Sequence, residues 1–323
     1  MTSEISPVDL VGVGVNATDT IIELPHFPSL DTKMELTSAR VLAGGQVATA
    51  VAACAAWGLK TRYMGRIGDD AAGQLQRREF ARAGVDAHLI VVNDCPSQSS
   101  YILVDQQTGE RTILWQRDAR QALQPGDIKK ECVQNARLLH VDGHDTHAAA
   151  AAARWAREAG IPVTADLDNI YPGLPELLAV TDYAITSQEF PARLTGERDL
   201  LKSLPMIRQR FGCRVVGVTL GKDGALVCDG AQFSYSPAYQ VAAQDTTGAG
   251  DVFHAAFAYG ILQGWPLPRL LDFSCAAAAL NCTATGARGG IRPIAEIEAL
   301  RQKCQRYPEA FPKQELERAG IAT

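Results

Sequence analysis

The residues best suited to chemistry lie together at Asp245-Thr246-Thr247-Gly248-Ala249-Gly250-Asp251-Val252-Phe253. Thr246 and Thr247 are β-branched and suit an extended approach. Gly248, Ala249 and Gly250 then leave almost no side-chain bulk, and residues 252–259 follow as a buried-helix sequence. At a helix start the first backbone N–H groups have no intrahelical partner and sit at the positive end of the dipole. With small residues there, an anion can dock directly on the backbone. Asp251 would compete with that anion. It reads either as an ordinary helix cap or as a base that takes the proton of a hydroxyl attacking a bound phosphoryl group.

Other candidates sit where strands are expected to end. Thr219-Leu220-Gly221-Lys222-Asp223-Gly224 is a Gly-flanked turn whose backbone could approach a nucleotide, with Lys222 at phosphates or in solvent. It is not a Walker loop, because that spacing with its Lys-Ser/Thr occurs nowhere in the chain. Gly44-Gly45 permits either a close ligand approach or a tight turn. Asp19, Asp142, Asp166 and Asp168 are carboxylates near strand ends, where α/β proteins bind ligands and where solvated or turn-forming Asp is also common. His140, His144, Asp145 and His147 lack a paired ligand motif, which disfavours a metal there. Gly12-x-Gly14-x-x-Ala17 mimics a dinucleotide fingerprint, but β-type Thr20-Ile21-Ile22-Glu23-Leu24 replaces the helix that fingerprint needs.

The elements that must position these groups alternate. Residues 9–15 read as a buried parallel strand, and strands are expected at 60–67, 138–141, 162–165, 183–186 and 214–218. Helices are expected between them and again after Asp251 and over 268–284, so a mostly parallel sheet with helices on both faces follows. Residues 20–24, 33–42, 89–92, 99–104 and 111–115 read as a small second sheet, with a turn at 105–109. Such a sheet cannot bury both faces alone, so it should cover something. The expected organisation is one α/β domain over 1–323 with a β-lid from about 17–42 and 87–117.

The chain has 323 residues, 46% hydrophobic and 21% charged, with net charge -5, which offers no footprint for nucleic acid or an anionic membrane. Its eight cysteines form no Cys-x-x-Cys pair and read as small apolar residues of a reduced, cytoplasmic protein. Residues 1–7 lack a leader pattern, no apolar run is long enough to span a bilayer, and the end from 307 to 323 is polar with little core signal.

The 245–253 stretch resembles the C-terminal signature of the ribokinase-like (PfkB) carbohydrate kinases, and Gly44-Gly45 and Thr219-x-Gly221-x-x-Gly224 resemble two more of their segments. Over residues 8–305 the resemblance implies a three-layer ribokinase-like sandwich with a lid, and a kinase using ATP and Mg2+ on a sugar hydroxyl. It implies Asp251 as catalytic base and Gly248, Ala249 and Gly250 as anion hole. Asp19, Gly44, Gly45, Gln46, Thr49 and Asp142 would hold the sugar. Ser187, Thr219, Gly221, Lys222, Gly224, Gly248 and Gly250 would hold ATP, with the 285–290 loop beside the adenine. Glu189 would act on magnesium through water, and Asp245 and Thr247 would supply a K+ site. Thr49 replaces the usual Asn and Ser187-Gln188-Glu189 the usual Asn-x-x-Glu. Sulfofructose kinases share Thr at the position of Thr49, and ketohexokinases place an acid in a context like that of Asp142. A homodimer through the lid is also implied. A nucleoside kinase of the same family and a non-catalytic sugar or nucleotide sensor are the alternatives.

Overall fold

A computed structural model describes residues 5–108, 111–230 and 232–311. The expectations for residues 1–4, for Gly109 in the lid turn and for the chain beyond 311 lie outside them.

Among the described residues nine strands form the main sheet. They are β1 (Val8–Val13), β4 (Thr61–Gly68), β5 (Asp86–Val92), β8 (Ala136–Asp142), β9 (Val163–Leu167), β10 (Tyr183–Thr186), β11 (Val215–Thr219), β12 (Ala225–Cys228) and β13 (Phe233–Ser236). The order is β13-β12-β11-β10-β9-β8-β1-β4-β5, parallel except for the β11-β12-β13 end, which is antiparallel. That terminal hairpin is not apparent from the periodicity. The order of strand addition reverses at β1, which pairs in parallel with β4 on one side and β8 on the other. Ligand clefts of parallel sheets form at such a switch point, beyond the strands' carboxyl ends.

The helices are α1 (Gln46–Ala56), α2 (Ala71–Arg82), α3 (Lys130–Gln134), α4 (Thr146–Glu158), α5 (Leu174–Leu178), α6 (Phe190–Thr195), α7 (Leu200–Phe211), α8 (Ala249–Leu262), α9 (Leu267–Asn281) and α10 (Ile294–Lys303). Strand alternation divides the core in two. Val11, Val13, Leu139, Val141, Val163, Ala165 and Leu167 pack with α4, α5 and α7 on one face. Leu10, Leu138 and Ile185 face the other way, onto α1, α8 and α9. The Ala-rich inner stripes of α4 and α1 let both lie close to the sheet. A Cβ on Gly12 would fall 2.3 Å from Val51 of α1, so that strand position has room for hydrogen only.

The second sheet is separate. Its strands are β2 (Ala17–Leu24), β3 (Ser38–Gly44), β6 (Ser99–Asp105) and β7 (Arg111–Gln116), ordered β3-β2-β6-β7. Two expectations are corrected here. Residues 89–92 belong not to the lid but to β5, the parallel edge of the main sheet beside β4. A short apolar run pairs equally well with either sheet, and only the return from α2 decides. The strand expected over 33–42 starts at Ser38 and runs to Gly44, paired with β2. In the lid, Leu42, Asp19, Ser100 and Trp115 are aligned across the strands and so share one face.

Candidate active site

Gly248 caps α8 with φ 73°, and Asp251 stands in the helix's first turn. A left-handed residue suits Gly here, and the space demands it, because a Cβ would meet the Ala287 carbonyl oxygen at 2.4 Å. Two buried polar side chains fix this turn to the loop after α9. Asp245 accepts from the Thr247 amide at 2.9 Å and from the Gly286 amide at 2.8 Å. Asn281 donates to the Thr247 and Ala287 carbonyls, both at 3.1 Å. Asp245 is thus engaged by backbone at both oxygens, while the Thr247 hydroxyl is buried with no partner among the described residues. In this turn the Ala249 amide donates to the Thr246 carbonyl at 3.3 Å, and the amides of Gly248, Gly250 and Asp251 have no acceptor among the described residues.

Beyond that turn lies a cavity of about 250 Å³. Thr219, Gly221, Lys222 and Gly224 line one side and Ala249, Gly250 and Phe253 another. The rest is apolar, with Ala278 and Ala279 of α9, Tyr239 and Tyr307. Four nucleotide candidates and Gly250 thus line one cavity, whereas Ser187 does not line it and donates its hydroxyl to the Asp168 carbonyl at 3.1 Å. Gly224 has φ 91°, and a Cβ there would lie 2.0 Å from the Ser236 carbonyl. Tyr307 was unforeseen. Its segment is strapped down by its own amide on the Ala238 carbonyl at 2.9 Å and by Arg306, which donates to the Tyr239 hydroxyl at 2.5 Å and pairs with Asp272.

On the lid side of Asp251, Asp19 lies buried against the backbone of Gly44, where a Cβ would come 2.0 Å from its Oδ2. Gly45 caps α1 with φ 94°, so Gln46 and Thr49 open that helix beside them. Arg288 joins these parts, donating to the Gly44 carbonyl at 3.1 Å and to Thr49 Oγ1 and Gln76 Oε1 at 3.4 Å. The 285–290 loop, expected beside the adenine, also reaches the lid side through Arg288. A buried Arg between two small residues gives no periodic signal, so its partners are readable only in three dimensions. Asp142 is 1% exposed and holds the Val15 amide at 2.6 Å and the His144 amide at 3.1 Å, so it braces the β1 turn from beneath.

Charge in this cleft is unbalanced. Burial pushes Asp19 up to about 6 against the opposing Ser100 hydrogen bond and Arg288. Burial also drives Asp251 well above the ordinary carboxylate range, aided by Asp166, Asp19 and Asp168 and opposed by Arg288. Burial lowers Arg288 to about 10, which leaves it charged at neutral pH. A half-buried carboxylate with raised proton affinity, beside free helix amides, can take a proton from a hydroxyl while those amides face an anion.

No group of three or more His, Cys, Asp or Glu among the described residues could hold a metal ion. Glu189 is exposed just past β10 and Asp168 just past β9, and neither enters a salt bridge among the described residues. No helix among the described residues is long and apolar enough to cross a membrane.

Residues 15–294 match the pfkB family of carbohydrate kinases. The ATP-dependent ribose-1-phosphate kinase of Halopiger xanaduensis is 32% identical over 87% of this chain and 93% of that one. The ribokinase of Arabidopsis thaliana is 31% identical over 86% of this chain and 77% of its own. A putative ribokinase structure from Agrobacterium tumefaciens superposes with TM-score 0.85 at 27% identity, covering 92% of this chain and 98% of that one. With the ribokinase fold, the capped α8 turn and the adjoining cavity all in place, the chain belongs to the pfkB family of carbohydrate kinases and is an ATP-dependent sugar kinase.

Proposed function

We propose that this kinase moves the γ-phosphoryl group of ATP to a primary hydroxyl of a small carbohydrate held between Asp19 and Asp251. The observation that carries this is that Asp251 directly follows Gly250, which lines the cavity with Lys222, and that its charge neighbours include Asp19 and the Arg288 that holds Gly44 and Thr49. The acceptor hydroxyl gives its proton to Asp251. The free amides of Gly250 and Asp251 face the phosphoryl oxygens, where fixed donors stabilise developing charge without reorganising. Bound magnesium would neutralise phosphate charge, with Glu189 held to it through water. Gln46 Oε1 is buried without a partner among the described residues and so is available to a sugar hydroxyl. A K+ ion is proposed at the Asp245–Thr247 loop, in reach of the orphaned Thr247 hydroxyl, and should appear as faster turnover in KCl than in LiCl. The decisive experiment is a coupled ADP-release screen over pentoses, hexoses, ketoses, aminosugars, sulfosugars, ribose 1-phosphate and nucleosides. Failure to release ADP with any of them would leave the sensor reading in its place.

A second reading, a nucleoside acceptor, is favoured by the lid. Trp115 shares the lid face of Asp19 and is 58% exposed. Its ring meets His144 edge-on at 6.2 Å, and His144 lies over Tyr171 at 4.8 Å. Such a wall can stack on a planar base. If it does, Trp115→Ala raises KM for a nucleoside and leaves KM for the free sugar unchanged. Equal effects on both acceptors would reject the nucleoside reading.

Tyr307 is proposed to close the nucleobase end of the ATP cavity. Tyr307→Ala is expected to raise KM for ATP about two- to tenfold, the worth of one aromatic contact, with acceptor KM unmoved. The opposite lid face exposes Val41, Tyr101 and Leu114, which supports a homodimer through the lid. Leu114→Glu followed by light scattering tests it, and an unchanged mass of two chains would reject that face.

A further inference from the structure

Tyr307 reaches the nucleotide cavity on a segment that is exposed on both sides of Arg306. Backbone ties it to the cavity wall. The Gln240 amide donates to the Gln305 carbonyl and the Tyr307 amide to the Ala238 carbonyl, both at 2.9 Å. Backbone bonds so open to water, with little apolar packing around them, break readily. Side chains supply the rest of the hold, and they converge on Asp272 of α9. Its Oδ1 accepts from the Tyr239 hydroxyl at 2.6 Å and from Arg306, and its Oδ2 accepts from Arg301 Nε of α10 at 2.8 Å. Arg306 also donates to the Tyr239 hydroxyl at 2.5 Å and lies over that ring, 4.4 Å from its centroid. A tyrosine hydroxyl donates and accepts at once, so Asp272, Tyr239 and Arg306 close a ring. A lone ion pair as exposed as this one would be worth little, whereas charges that share partners in a network hold geometry better.

We propose that Asp272 is a positioning residue for the nucleotide: through Arg306 it holds the Tyr307 ring against the nucleobase end of the ATP cavity. Neither Asp272 nor Arg306 lines that cavity, so each acts only through what it holds. Asp272, Cys275 and Ala279 recur at three- and four-residue spacing and so share one face of α9, and the latter two line the cavity. The anchor therefore sits at the edge of the wall that the nucleotide meets. Tyr239 lines the cavity as well, but it is 2% exposed and packed in the core on the α8–α9 side, so its ring stays in place whatever its hydroxyl binds. Tyr307 is 36% exposed and has only its segment to carry it. Loss of the anchor is thus felt at Tyr307 first.

The proposal rests on the reading of Tyr307 as the cover of the base, and its test needs neither turnover nor the identity of the acceptor. ADP is titrated into the full chain by calorimetry. Asp272→Asn keeps the shape but not the charge that draws Arg306, and should raise Kd for ADP about two- to tenfold, the worth of one aromatic contact. Arg306→Gln should do the same from the other side of the pair. A residue that acts through Tyr307 adds nothing once that ring is gone. Asp272→Asn combined with Tyr307→Ala should therefore bind ADP no more weakly than Tyr307→Ala alone. A merely structural loss would multiply in the double variant, and that result overturns the proposal. A Kd unmoved in Asp272→Asn but raised in Tyr307→Ala also overturns it, and leaves the nucleobase reading standing without the anchor. A Kd unmoved in Tyr307→Ala overturns both. If circular dichroism shows that Asp272→Asn does not fold, Arg306→Gln carries the same cycle from the exposed segment. A wild-type protein with no ADP release in the acceptor screen would sink the kinase reading, and ADP binding would still decide the anchor.

Discussion

Asp251→Asn lowers turnover by at least ~10²-fold, the scale of a positioned base, while ATP and acceptor still bind. Asn keeps the shape and the helix position but cannot take a proton. Two pH effects follow from the raised proton affinity of Asp251, which arises from burial first and then from Asp166 and Asp19. The base must be ionised to work, so wild-type kcat/KM falls as pH drops through its folded pKa, at a higher pH than an ordinary carboxylate would give. The stability effect has the opposite sense. A carboxyl whose folded pKa exceeds its unfolded pKa stabilises fully below the unfolded value and loses that contribution as pH rises through the folded one. Asp251→Asn should therefore melt above wild type at neutral pH, and the gap should close on acidification. A variant that is both more stable and nearly inactive is the mark of a strained working group. Near-normal ADP production by it would remove Asp251 from its role.

What could be read in advance divides by the range of the interactions. The α8 turn is legible because its chemistry is local: small residues, a carboxylate and a helix lie within nine residues. The nucleotide turn is legible for the same reason, and Thr219, Gly221, Lys222 and Gly224 do line one cavity with Gly250. Strand β5 is not, because residues 89–92 carry no mark of which sheet they join, and pairing with β4 is a choice between distant partners. Arg288 is hidden for a related reason. Its fork reaches Gly44 and Thr49, more than two hundred residues away in the chain, while its neighbours suggest only a loop. Asp166 is half legible, since a strand end places it on the right edge but only α8 supplies His254. Tyr307 sits in a stretch with little core signal and is brought to the cavity by Arg306, Tyr239 and Asp272 acting together. Asp142 is half legible as well: a carboxylate at a strand end invites a ligand, but only the structure shows that its oxygens also accept from the amides of Val15 and His144.

The two glycines of the turn should fail in different ways, and that difference tests the anion hole. Gly248→Ala puts a side chain at φ 73° and its Cβ 2.4 Å from the Ala287 oxygen. The left-handed backbone alone costs about 1–2 kcal/mol, and the close contact adds to it, because both sides are backbone and neither can swing away. Melting temperature and turnover should fall together, the latter by ~10²-fold, as when one oxyanion donor is displaced. Gly250 is the sharper probe. Its added Cβ meets nothing within 4 Å, and the residue lines the cavity, so the methyl enters open space that the phosphoryl group would need. Inside a helix Ala is favoured over Gly by about 1 kcal/mol. Gly250→Ala should therefore melt at or above wild type and still lose ~10²-fold in turnover, the cost of an ångström's displacement of the reacting group. Full activity in that stable variant would mean that the phosphoryl group passes elsewhere, and the proposed role of the α8 turn would fall with it.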